Sequence, residues 1–309
     1  MDRREFLKAS AMTAAFAAVA SKLPAQVANQ TAKAEKKNDG APTVAVVRGG
    51  EPVAMFRKGI EALGGMTAFV KPGQSVVVKP NIGWDRTPEL AANTNPELVG
   101  EIVRQALAAG ASKVEVFDRT CNDWRRCYQN SGIQKAVEDA GGTMLPGMDE
   151  SWYVDREAPK AVMMKNSKIH KALLDADVVI NVPILKNHGG AKMTAVLKNW
   201  MGVVWDRQWM HKNNMPQSIA DSFLYRRADL NVLDAYRMMV AHGPAGRGSL
   251  DDVETPKYLI MSRDPVVVDA MGAKLLRFEL NQVPYIAHAE KLGLGVADVE
   301  KHNVVRLEA

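Results

Sequence analysis

The chain has 309 residues, 47% of them hydrophobic and 24% charged, which suits one large globular domain or two modest ones whose core needs no disulfides. The formal net charge of +5 is spread along the chain, and part of it sits near the start, where Arg3, Arg4, Lys8 and Lys22 outweigh Asp2 and Glu5. So diffuse an excess lacks the basic stripe of a nucleic-acid binder, and no nucleic-acid partner is expected.

Residues 1–28, "MDRREFLKASAMTAAFAAVASKLPAQVA", have the layout of a signal peptide: a charged start, an alanine-rich apolar run over 9–20 and small residues towards the end. The pair Arg3-Arg4 followed by Phe6, Leu7 and Lys8 resembles a twin-arginine export signal. That reading implies the twin-arginine export machinery as a partner and the periplasm as the destination. Cleavage could follow Ala18-Val19-Ala20 or fall near Ala28, and an uncut signal would act as a membrane tether. The apolar run is shorter than the roughly 20 residues of a comfortable membrane span. Residues 29–42 are polar, without periodicity, and read as a linker; residues 43–309 read as a single α/β domain.

Within that domain, "TVAVVRG" at 43–49 is a β-branched run ending in glycine, a buried-strand signal. Val53, Phe56, Ile60 and Leu63 then recur at helical spacing. "QSVVVKP" predicts a second strand to residue 80, and 95–110 a helix with Asn95 as cap, Pro96 at its first position and Gly110 as its stop. A strand over 113–118, helices over 131–142 and 168–176, and a strand over 177–185 follow. An apolar, helix-like stretch then carries Lys198 and Asn199. The strand "KYLIMS" and helices over 265–278 and 284–295 complete the pattern. Repeated β-α units predict a mostly parallel sheet with helices on both faces.

Ligands of open α/β sheets bind beyond the carboxyl ends of the strands. Four strand ends carry charged or amide groups: Lys79 and Asn81; Asp118 and Arg119; Lys186, Asn187 and His188; Arg263 and Asp264. Each has a plainer reading. Lys79 could end an exposed strand, Asp118 could cap the next segment, and His188 could sit in a solvated loop. Arg263-Asp264 could be a salt-bridged corner, and Asp269 could favour its helix N-terminus. Lys198 sits among apolar neighbours in "MTAVLKNWMGVVW", so it either reaches solvent or meets a buried anion. Cys121 and Cys127, spaced Cys-x5-Cys, could form a disulfide or stand as two free thiols.

Taken together, "VVVKPNIG", "NTNPELVGEIVRQALAAGASKVEVFD", "DADVVINVPILKNHGGAKMTAVLKNWMGVV", "HGPAGRG" and "MSRDPVVVDAMGAKLL" resemble, in collinear order, the family called domain of unknown function 362. The resemblance runs from about Val44 to Gly295. It places Lys79, Asn81, Thr94, Lys186, His188, Lys198, Asn199, Gly202, Gly243, Pro244, Asp264 and Asp269 on family motif positions. The family pattern often has histidine before the proline at position 96, where this chain has Asn95. Some family members are described as iron–sulfur proteins with an added ferredoxin-like segment. This chain lacks a Cys-x-x-Cys-x-x-Cys run, so no iron–sulfur cluster is expected on it, and no metal site is assigned.

Two functional classes follow. The first is an enzyme or binder of a small anion, a carboxylate or phosphate, in a cationic cleft. Lys79, Lys186 and His188 would be its catalytic groups, with His188 as general acid or base. Asn81, Thr94, Asp118, Lys198, Asn199, Gly243, Arg263, Asp264 and Asp269 would hold the ligand. The second is a redox-associated accessory protein that docks a partner through the segment of Trp200, Trp205, Trp209, Met193, Met201, Met210 and Met215. The plainer reading of that segment is core packing.

Overall fold

The computed structural model describes residues 40–309, so the expected signal, its cleavage and most of the linker lie outside the described residues. The chain begins with β1 (Val44–Arg48), α1 (Pro52–Ala62), β2 (Ser75–Pro80), α2 (Pro96–Ala108) and β3 (Lys113–Val116). Next come α3 (Trp124–Asn130), α4 (Ile133–Asp139), β4 (Thr143–Met144), β5 (Tyr153–Glu157), β6 (Asn166–His170) and α5 (Lys171–Asp175). The middle holds β7 (Val178–Val182), β8 (Ile184–His188), β9 (Lys192–Thr194), α6 (Val196–Asn199), α7 (Arg207–Lys212) and α8 (Met215–Ser222). The chain finishes with β10 (Leu230–Met239), β11 (Val253–Glu254), β12 (Tyr258–Ser262), α9 (Pro265–Leu275), α10 (Pro284–Lys291) and β13 (Val304–Glu308).

The central sheet has the order β13-β1-β12-β10-β7-β2-β3-β4, with β8, β9 and β11 attached beside β10. Strands β13, β1, β10, β7, β2, β3 and β4 share one direction. Alternate residues of each strand feed two cores, one on each face. Val76, Val78, Val178, Ile180 and Val182 pack with Ile60, Val99 and Ile102 of α1 and α2. Val77 and Val179 pack on the other face with Leu197, Ile219, Val267 and Ile286 of α6, α8, α9 and α10. The fold is therefore the expected α/β sheet, mostly parallel and covered on both faces. Asn95 caps α2, its side chain accepting hydrogen bonds from the backbone N–H groups of Glu97 and Leu98.

Three elements depart from the sequence reading. The first three residues of the helix expected over 168–176 belong to strand β6, which pairs with β5 in a separate two-stranded sheet. The long strand β10 carries no β-branched run; its Leu, Ala and Met residues favour a helix, and burial between β7 and β12 overrides that preference. Third, β12 runs antiparallel to both β1 and β10, with Ser262 opposite Val44 and Asn231, the first residues of the strand pairings there.

The reversal of β12 corrects the expectation of four converging strand ends. Arg263 and Asp264 leave β12 at the opposite edge of the sheet from Pro80 and Val182. Arg263 donates to the carbonyls of Asp229 and Ala68 and stacks on Phe69 at 4.2 Å. Asp264 accepts from the N–H groups of Val266, Val267 and Val296, so it caps α9 and ties down the following loop. Asp264→Ala should cost about 1–2 kcal/mol of stability in urea denaturation. Anion affinity should stay unchanged in calorimetry; a loss of affinity at unchanged stability would return this residue to the site.

Candidate functional site

Val76, Val77 and Val78 make β2 a dry strand, yet the next residue is Lys79, which is 0% exposed. Burying an ammonium is costly unless it is paired. Lys79 meets Asp118 Oδ1 at 2.8 Å, and its Nζ also donates to the carbonyl of Pro80 at 2.7 Å and to Asn199 Oδ1 at 3.3 Å. Burial pulls the Lys79 pKa down, and the neighbouring Asp118 carboxylate opposes that pull. The other Asp118 oxygen accepts from the Ile82 N–H at 2.6 Å. The pair thus stitches the end of β2 to the end of β3. Gly202 lies against it: a Cβ there would fall 2.0 Å from Asp118 Oδ1 and 2.7 Å from Lys79 Nζ.

A row of asparagines extends from this pair. Lys186 Nζ donates to Asn81 Oδ1 at 3.0 Å, Asn81 Nδ2 to Asn199 Oδ1 at 3.0 Å, and Asn199 Nδ2 to Asn181 Oδ1 at 2.9 Å. Asn181 Nδ2 then donates to Asn231 Oδ1 at 3.1 Å, and Asn231 Nδ2 to the carbonyl of Ser262 at 3.2 Å. Each amide gives a proton in the same sense, so the row is polarised towards the oxygen that receives Lys186. Thr94 fastens the site from above, its Oγ accepting from Asn81 N–H at 2.8 Å and donating to the Val182 carbonyl at 2.6 Å. Asp269 fastens it from below. Its two carboxylate oxygens accept from the N–H groups of Val196 and Leu197 at 2.6 and 3.0 Å, holding the short helix that carries Lys198 and Asn199. Burial pushes its pKa up to about 8, against the two amide donors.

These elements open onto a cleft of about 700 Å³ lined by Asn81, Asp118, Lys186, His188, Lys198 and Asn199 among others. Lys186 Nζ donates to Asn81 and to the carbonyl of Ala92, and burial with the nearby Lys198 charge brings its pKa down to about 7. Lys198 Nζ has Met201 Sδ at 3.4 Å as its hydrogen-bond partner, and burial brings its pKa to about 8. Arg119 lies over the Trp205 ring at 4.8 Å, and Arg207 donates to the carbonyls of Arg119 at 2.7 Å and Thr120 at 2.5 Å. Among the described residues, none of these four cations forms a salt bridge. Among the described residues, two acids line the cleft, Asp118 and Asp206. The first faces Lys79, and the second caps α7 by accepting from the Trp209 N–H.

His188 does not fit a general acid or base that titrates near neutrality. Its Nδ1 accepts from the N–H groups of Gly190 and Ala191, both at 3.1 Å. Burial first, then the charges of Lys198 and Lys186, hold its pKa well below the ordinary histidine range. The ring is therefore a neutral Nε2–H donor. Lys79 also departs from its expected catalytic place. It stands behind the cleft wall, and its contacts are structural.

Thr94, Gly243 and Asp269 position the site without lining it. Gly243 is forced by close approach, since a Cβ would lie 1.8 Å from the Asn187 carbonyl oxygen. Cys121 and Cys127 are free thiols: Cys127 points into the core beside the Gly83 carbonyl, while Cys121 faces the cleft near Arg207. The Trp- and Met-rich segment packs inward, with Trp200, Met193 and Met210 fully buried and Met201 nearly so. Trp205 lines the cleft and Trp209 stays partly exposed. The sequence reading missed Asn181, Asn231, Arg207 and His211. For Asn181 the signal was present: an amide inside "VVINV" is costly without a partner. Among the described residues, no group of three or more His, Cys, Asp or Glu side chains is arranged to hold a metal ion.

The profile of the family described as domain of unknown function (DUF362) matches residues 76–274, more than half of the 309-residue chain. The chain belongs to this family. The matched span holds Lys79, Asp118, Lys186, His188 and Lys198, so the paired cation and the cations that line the cleft alike belong to the DUF362 region. A similar protein, the thylakoid-associated protein sll1697 of Synechocystis sp. (strain ATCC 27184 / PCC 6803 / Kazusa), is 26% identical over 259 residues, covering 81% of this chain and 78% of that one. Among solved structures, the lactate racemase apoprotein from Thermoanaerobacterium thermosaccharolyticum is similar with a TM-score of 0.43 and 8% identity. The match covers 78% of this chain and 58% of that one. A protein from Thermotoga maritima is similar with a TM-score of 0.39 and 13% identity, covering 60% of this chain and 51% of that one. No helix among the described residues is long and apolar enough to cross a membrane.

The buried pair of this DUF362 chain is open to a double-mutant cycle. Lys79→Met and Asp118→Leu should each cost about 3–5 kcal/mol, because each strands a buried charge. The double variant should recover a large part of the summed loss in urea denaturation. Simple additivity would show that the two groups do not stabilise each other.

Proposed function

We propose that this chain binds a small anionic ligand, a carboxylate or phosphate, in the cleft beyond β2, β3 and β7, and acts on it or carries it. One observation carries the reading: Lys186, Lys198, Arg119 and Arg207 line one cleft, and its two acids are both engaged elsewhere. A fold gains no stability by burying ammonium groups without counter-charges. Such groups make sense where an anion supplies the missing charge. The second amide N–H of Asn81 and the Nε2–H of His188 would orient the ligand by hydrogen bonds, Asn199 would hold Asn81 in place, and Trp205 would wall the ligand's apolar side.

The Arg3-Arg4 layout supports export by the twin-arginine route and work in the periplasm. Export of a folded chain suits this design, since the site draws on strand ends far apart in sequence.

The unmet charges make a trade-off between stability and binding measurable. An unfolded lysine keeps its proton to about pH 10.4, whereas Lys198, 9% exposed, releases it near 8 in the folded chain. Between those values the unfolded chain binds more protons, so the fold gains stability as pH rises through that window. Lys198→Met should therefore raise stability at pH 7, by about 1–4 kcal/mol, and flatten that pH dependence. It should also weaken phosphate or acetate binding about tenfold or more in calorimetry. A destabilised variant with unchanged anion binding would contradict the proposal.

A further inference from the structure

Lys186 differs from the other cations of the cleft in how its nitrogen is held. Its side chain is 1% exposed, yet it lines the cleft. Two acceptors, Asn81 Oδ1 and the carbonyl of Ala92, take two of its N–H bonds. Both acceptors are themselves fixed. The asparagine row holds the Asn81 amide, and Ala92 is fully buried beside Asn93, whose side chain is tied to Trp84 and Arg86. A tetrahedral nitrogen with two N–H bonds so committed has one position left. In the ammonium that position holds a proton; in the free amine it holds the lone pair.

No carboxylate pairs with Lys186 among the described residues, and the two acceptors that its nitrogen meets are neutral. The charged and titratable groups that face it are Lys198, Asp118, Cys121 and His188. A desolvated lysine beside a second cation is the general recipe for a nucleophilic amine.

We infer that Lys186 is a nucleophile that forms an imine with a small carbonyl compound bearing an anionic group, held in this cleft. The inference rests on the anion-binding reading and names the substrate class for that site. Arg119 and Arg207 would hold the anionic group. The carbonyl carbon would face Lys186 Nζ, and the Nε2–H of His188 or the Lys198 ammonium would polarise the carbonyl oxygen.

The step balances without any co-reactant. The neutral amine adds its lone pair to the carbonyl carbon, and the oxygen takes up a proton. The carbinolamine then loses its C–O bond as water while nitrogen forms the C=N bond and sheds its second proton. Carbonyl and amine give imine and one water, with no change in oxidation state. Both Lys186 N–H bonds, to Asn81 and to Ala92, are given up in forming the neutral imine, and the protonated imine restores one of them.

The test uses the whole chain, incubated at pH 7.5 with pyruvate or with glycolaldehyde phosphate and then reduced with sodium borohydride. Intact-mass spectrometry and peptide mapping should find one secondary-amine adduct, on Lys186. Adduct with pyruvate alone assigns a carboxylate beside the carbonyl; adduct with the phosphate alone assigns a phosphorylated carbonyl. Lys186→Arg should retain the fold, checked by its melting transition, and lose the adduct entirely. Propionate, which has no carbonyl, separates the two readings. If propionate and pyruvate bind in calorimetry yet nothing is trapped, the imine is refuted and the anion site stands. If none of these anions binds, both fail. Adducts scattered over surface lysines would also overturn the inference.

Discussion

Everything at this site depends on one buried ion pair. Lys79 follows three buried valines in β2, and its side chain is fully buried. Asp118 at 2.8 Å makes that position tolerable. The same carboxylate also holds the Ile82 amide, so pairing the charge also fixes the turn that presents Asn81. Gly202 has to be glycine-sized because its backbone closes over the pair. From this one constraint follow the spacing of β2 and β3 at their carboxyl ends and the place of Asn199, which touches both Lys79 and Asn81.

The cleft in front of the pair obeys a different rule. Behind the wall, cation and acid are matched; in front of it, Lys186, Lys198, Arg119 and Arg207 meet carbonyls, a thioether and an aromatic ring. Those partners accept hydrogen bonds or polarise, but they supply no full negative charge. The depressed pKa values of Lys186 and Lys198 express the same shortage, first through burial and then through repulsion by Lys198 and by Arg207 respectively. His188 completes the pattern by staying neutral, since its Nδ1 already accepts two backbone protons. An anion entering this space would gain from every one of these groups at once.

Much of this was legible in the sequence because burial leaves a mark. The valine runs leading to Lys79 and to Pro183 announced buried strands, and the apolar neighbours around Lys198 announced an enclosed charge. The direction of β12 was not legible. A short apolar strand reads the same in either orientation, so Arg263 and Asp264 were placed at the wrong edge. Strand β10 was hidden because its Leu, Ala and Met residues favour a helix in isolation. Arg207 and His211 were hidden too: they sit on a short exposed helix, and only the chain's return across the cleft brings them near Lys198. The lining of the cleft thus depends on tertiary contacts, while its foundations are local.

The claim that these cations await an anion is tested most directly at Lys186 itself. Nitrogen-15 NMR of the lysine Nζ signals, titrated with and without phosphate or propionate, reads its proton affinity. The free chain should show Lys186 losing its proton near 7, and a bound anion should move that midpoint upward, because it favours the ammonium. A Lys186 that titrates at its ordinary value of 10.5, unmoved by any anion, would contradict the account.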